Sequence, residues 1–138
     1  MFKRLIPFIA ITLMLVFVSS CNQQSTISTS YPFLENSKED NSPVTILFSN
    51  EHDDINSEHD YYDALINFRQ DHPNKLSQLN IISNDDEEIV NYFDIKSFPT
   101  LLIVDDLEVI MQIDGQHDFQ SIYNKLKVNL LSLKERAS

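Results

Sequence analysis

Residues 95–106 read Ile95-Lys96-Ser97-Phe98-Pro99-Thr100-Leu101-Leu102-Ile103-Val104-Asp105-Asp106, and this stretch decides the fold. Thr100 to Val104 is an unbroken apolar, β-branched run of the kind a strand buried on both faces requires. Pro99 stands at its first position, where the missing N–H costs the ladder least. Asp105-Asp106 supplies a two-residue turn, and Leu107 to Ile113 follows with the partial alternation of a half-buried or edge strand. Gly115, the only glycine of the chain, ends it.

Upstream, Val44-Thr45-Ile46-Leu47-Phe48 forms a second buried-strand run behind Pro43. Ser57-x-x-Asp60 has the spacing of a helix capping box, and Tyr61, Tyr62, Leu65, Ile66 and Phe68 follow at helical spacing until Pro73. Leu79-Asn80-Ile81-Ile82 reads as a strand. A helix opening among Asn84, Asp85 and Asp86 then buries Ile89, Val90, Tyr92 and Phe93. Downstream, Phe119, Ile122, Leu126, Leu130 and Leu133 make one stripe of a last helix, with Lys125, Lys127, Lys134 and Arg136 toward its C-terminus.

The predicted order is β-α-β-α-β-β-α over residues 43–134, an α/β class, with 135–138 as a tail. Crossovers of this length set the first strands parallel, and the short turn sets the last pair antiparallel, giving a mixed four-stranded sheet. This order resembles the three-layer sandwich of the thioredoxin fold. The resemblance is strongest over Tyr92 to Gly115, where Ser97-Phe98-Pro99-Thr100 stands where thioredoxins carry a cis-proline. It implies that Pro99 is cis and that the backbone beside it, at Phe98 and Thr100, meets an extended peptide by strand addition. Phe98 is then an apolar wall for the peptide or a core residue, and the sequence leaves both open.

The resemblance stops at the chemistry. Thioredoxins place Cys-x-x-Cys at the start of the helix after the first strand, where the helix dipole lowers the thiol pKa. The corresponding window here, His52-Asp53-Asp54-Ile55-Asn56, has no sulfur, and the first strand has no carboxylate. No catalytic residue and no cofactor is expected. Glu51, His52, Asp53, Asp54, Glu58, His59 and Asp60 offer oxygen and imidazole donors, with His52, Asp53, Asp54 and His59 as weak candidate ligands for Ca²⁺ or Zn²⁺. Their spacing matches no EF-hand loop or His-Glu-x-x-His signature, and a solvated acidic loop at a helix N-terminus is the favoured account of them. His72 and His117 read as surface or capping residues.

The first 20 residues have the layout of an export signal: Lys3 and Arg4, an apolar run from Leu5 to Val18, then small residues. That run is too short for a membrane span, which needs about 20 apolar residues. Val18-Ser19-Ser20-Cys21 resembles a lipobox, which implies cleavage before Cys21 and a diacylglyceryl thioether on its sulfur, detectable as incorporated palmitate. The anchor would hold the protein to the outer face of the cell membrane. Cys21 is the one cysteine, so disulfides and thiolate chemistry are excluded from the mature chain. Residues 21–42 are polar and read as a flexible tether of about 25 Å r.m.s. reach, with Tyr31-Pro32-Phe33-Leu34 either docked on the domain or exposed. Without Lys3 and Arg4 the basic residues fall to 8 against 21 acidic ones, a net charge of −13. Nucleic acid is therefore an unsuitable partner. The chain is also similar to small peptidoglycan-associated lipoproteins of Bacillus-type bacteria, which implies an envelope location and an envelope protein, a peptide or peptidoglycan as partner.

Overall fold

The computed structural model describes residues 24–35, 43–50, 52 and 55–136. Its elements are α1 (Gln24–Ser30), β1 (Val44–Ser49), a 3-10 turn (Ile55–Ser57), α2 (His59–Asp71), β2 (Leu79–Ser83), α3 (Glu87–Tyr92), β3 (Thr100–Asp105), β4 (Glu108–Asp114) and α4 (Phe119–Arg136). From β1 onward this is the order expected from the sequence. Helix α4 runs on through 135–136, so those residues extend the helix instead of forming a tail.

The strands form one sheet in the order β2-β1-β3-β4. β1 and β2 are parallel, with Leu47 beside Ile81, as the α2 crossover requires. β3 enters on the other side of β1 antiparallel to it, Ile46 facing Leu102, so of the first strands, expected parallel from their crossovers, only β1 and β2 run the same way. β3 and β4 are antiparallel as expected, but their turn falls one residue late: Asp106 and Leu107, not Asp105 and Asp106, take the left-handed conformation at φ 47° and 65°. Leu107 accepts that strain because its side chain packs against the core of one face.

Alternation along the two central strands splits the core into two layers. Leu47, Leu101 and Ile103 point to the face covered by α2 and α4, where they meet Tyr61, Leu65, Phe68, Ile122, Leu126 and Leu130. Ile46, Phe48, Leu102 and Val104 point to the other face, where Ile89, Phe93 and Ile95 of the short α3 segment cover only part of the sheet. The remainder is covered by Ile27 and Leu34, which are 3% and 0% exposed.

That second layer corrects the tether expected over 21–42. Residues 24–35 are folded: α1 and a further helical turn at 32–35 lie on the sheet, with Tyr31 and Phe33 half-buried beside Leu34. The physical reason is area, because six-residue α3 leaves central-strand side chains to be covered, and the apolar patch at 31–34 is what the chain has available. Cys21 and residues 36–42 lie outside the described residues, as does the signal segment 1–20.

Candidate functional site

Three chain segments meet at one end of the sheet: the exit of β1, the entry of β3 and the exit of β4. The register aligns Phe48, Thr100 and Asp114 across the three strands. The Phe98-Pro99 peptide bond is cis. The Pro99 carbonyl accepts the Gly115 N–H at 2.8 Å, and Gly115 at φ 74° presents its own carbonyl to the hydroxyl of buried Tyr61. Burial, with the Asp114 charge nearby, pushes the Tyr61 hydroxyl well above its ordinary value, so it is a fixed donor.

The three residues singled out in the sequence have different placements. Thr100 is fully buried, and its hydroxyl donates to the Ser97 carbonyl at 2.7 Å and lies 3.2 Å from Asp114 Oδ1, which Gln112 also approaches at 2.7 Å. Its side chain therefore braces the loop and is closed to a ligand. Pro99 is buried. Phe98 is half-buried, with its ring against the second core layer. The backbone N–H and C=O of Phe98 make no hydrogen bond among the described residues. A half-exposed aromatic beside an unpaired donor and acceptor is the arrangement that strand addition uses.

Across the same end, α2 does not begin with the capping box expected at Ser57-x-x-Asp60. Its N-cap is Glu58, without a side-chain cap. The Glu58 carboxylate turns inward instead and is 8% exposed, accepting from Ser49 Oγ at 2.6 Å, the Asn50 N–H at 3.3 Å and Tyr62 Oη at 3.1 Å. Burying a carboxylate is unfavourable unless donors replace water, and three do so here. Burial and the Glu58 charge together raise Tyr62 to about 12. By sequence Glu58 falls among the loop donors, and its i, i+4 spacing to Tyr62 is the signal for its partner in the fold.

That turn leaves fewer donors on the acidic loop. His52 is exposed, its N–H held by Asn50 Oδ1 at 3.2 Å, and His59 pairs with Asp63 at 3.2 Å. Asp53 and Asp54 lie outside the described residues. Among the described residues no group of three His, Cys, Asp or Glu side chains is placed to hold a metal ion, and no helix is long and apolar enough to cross a membrane. His72 caps the C-terminus of α2 against Phe68, and His117 Nε2 lies 3.0 Å from the Asp114 carbonyl.

A β2-β1-β3-β4 sheet with helices on both faces and a cis-proline opening β3 defines a thioredoxin-like protein. Solved structures bear this out at the level of fold. Thioredoxin-2 of the malaria parasite, described as a component of its protein secretion machinery, superposes with a TM-score of 0.51 at 12% identity, over 63% of this chain and 82% of that one. A second malarial protein superposes with a TM-score of 0.51 at 13% identity, over 64% and 98%. Among curated proteins the chain is 33% identical over 105 residues to the Pal-related lipoprotein of Bacillus subtilis, covering 75% of this chain and 78% of that one. The chain therefore belongs to the family of that lipoprotein. No protein-family model matches the sequence.

Proposed function

We propose that this is an exported, lipid-anchored envelope protein whose thioredoxin-like domain binds an extended segment of another envelope protein across the Phe98-Pro99 surface, without thiol redox chemistry. The anchor is a diacylglyceryl thioether on Cys21, which places the domain at the outer face of the cell membrane. Membership of a lipoprotein family supports this reading, as does the lipobox Val18-Ser19-Ser20-Cys21. With Cys21 the only sulfhydryl-bearing residue, the domain has no thiol pair to exchange.

The observation that carries the binding role is at Phe98, where an accessible ring sits beside backbone groups that have no partner within the described fold. An incoming strand satisfies those groups and covers the ring. Crosslinking in intact cells, comparing wild type with Phe98→Ala, tests this: the variant should lose one or more crosslinked partners while keeping its far-UV circular dichroism. An unchanged set of partners counts against the surface. Association with peptidoglycan, implied by the resemblance to small peptidoglycan-associated lipoproteins, is read in parallel by co-sedimentation with purified sacculi.

A further inference from the structure

The two edges of the sheet are not equally protected. Native edge strands are kept from pairing with other chains by charges, prolines or bulges. β4 has such guards: Glu108 and Asp114 at its ends, and an irregularity where β3 passes from Ile103 to Val104. β2, the opposite edge, reads Leu79-Asn80-Ile81-Ile82-Ser83, without a charge or a proline. Its middle residue, Ile81, is 55% exposed, and Ile66 of α2 is 54% exposed. α2 lies over β1 and β2, since one cleft is lined by Tyr62, Leu65 and Ile66 together with Thr45 and Leu79. Leu79 packs on that face, so Ile81, two residues on, projects to it as well.

We propose that a second copy of this chain occupies this edge, with β2 pairing antiparallel to its own counterpart about a two-fold axis through Ile81. Three observations select a copy of the same chain in this direction. Ile81 is central in the five-residue strand, so a two-fold axis there sets Ile81 against Ile81 and Leu79 against Ser83. Two strand spacings then separate α2 from its copy, about 9.6 Å, which is the distance at which helices pack. The exposed Ile66 side chains fill the space between them.

Charge gives the third. Lys75 precedes β2, and the exposed Asp85 and Glu87 follow it. Antiparallel pairing brings the Lys75 end of each copy to the Asp85-Glu87 end of the other, twice over, whereas parallel pairing sets acid against acid. In a chain with net charge −11, that complementarity favours the antiparallel arrangement.

Directly opposed residues of an antiparallel pair have Cα atoms about 4.5–5.5 Å apart, within the range a disulfide spans. The full-length Ile81→Cys protein, oxidised with copper phenanthroline in the membrane, should give at least ten times more disulfide-linked dimer than Val128→Cys, whose site on α4 is 69% exposed. Wild type sets the background from Cys21. Lys75→Glu in the Ile81→Cys background should reduce that dimer several-fold, and adding Glu87→Lys should restore it. Ile81→Lys should be monomeric by light scattering with unchanged far-UV circular dichroism. Equal crosslinking at positions 81 and 128, no dimer at 81, or a dimeric Ile81→Lys protein each overturns the proposal.

Discussion

The Tyr31 hydroxyl donates to Asp86 Oδ1 at 2.5 Å, across 55 residues of sequence, and so joins the N-terminal segment to the start of α3. Ser30 Oγ, the neighbouring donor, reaches Glu88 Oε1 at 3.1 Å. With Ile27 and Leu34 buried beneath them, these bonds make residues 24–35 a part of the second core layer. The consequence reaches the membrane: three residue spacings, at most about 11 Å of extended chain, separate Cys21 from α1. The lipid proposed on Cys21 would therefore hold the folded body close to the bilayer, where a coil through residue 42 would have let it range freely.

If this segment is structural, its core contacts carry stability. Leu34→Ala should lower the unfolding free energy by about 2–5 kcal/mol, the usual cost of emptying a buried leucine site. Tyr31→Phe, which keeps the ring and removes the bond to Asp86, should cost about 1–2 kcal/mol. Denaturant titration measures both. Values near zero for Leu34→Ala would return the segment to a tether.

Glu58 should matter to the loop above it more than the less buried Asp60 does. Glu58→Ala leaves Ser49, the Asn50 N–H and Tyr62 without their acceptor, a loss of about 1–3 kcal/mol. Limited proteolysis should then cut the 50–57 connection faster than in wild type. Asp60→Ala, two residues on and less buried, should leave the rate unchanged.

Alkaline pH should destabilise the fold in a defined window. Burial first, and then hydrogen bonding and proximity to Asp86, raise Tyr31 to about 12; burial and then Glu58 do the same for Tyr62. The folded chain holds both protons more tightly than the unfolded chain, where tyrosine has its ordinary value of about 10. Their contribution is whole below pH 10 and is lost as pH rises from 10 toward 12. Tyrosinate absorbance should show late-titrating hydroxyls, and Tyr31→Phe and Tyr62→Phe should each remove one. Titration of every tyrosine near 10 would contradict these contacts.

Replacing Cys21 should separate anchor from fold. Cys21→Ser should end palmitate incorporation and move the protein from the membrane fraction to the soluble one, with thermal unfolding of the domain unchanged. Retention in the membrane without label would point to another means of attachment.

The sequence determined a good deal by itself. Alternation and apolar runs located β1, β2, β3 and β4, and helical spacing located α2, α3 and α4, because each element's burial pattern repeats with its own backbone period. The missing Cys-x-x-Cys was equally plain, since composition needs no fold to be read. Tertiary structure decided the rest. Polar composition marked 24–35 as a coil, and only the uncovered side of the sheet beside short α3 gives Ile27, Tyr31 and Leu34 somewhere to go. The hairpin turn moved to Asp106-Leu107 because the Leu107 side chain is drawn into the same layer. Glu58 left its apparent place in a solvated loop because the β1 exit, brought beside it only by folding, joins Tyr62 one helical turn on to supply donors that replace water. In each case local composition was overridden by partners outside the segment's own element, and those partners come together only once the sheet has formed.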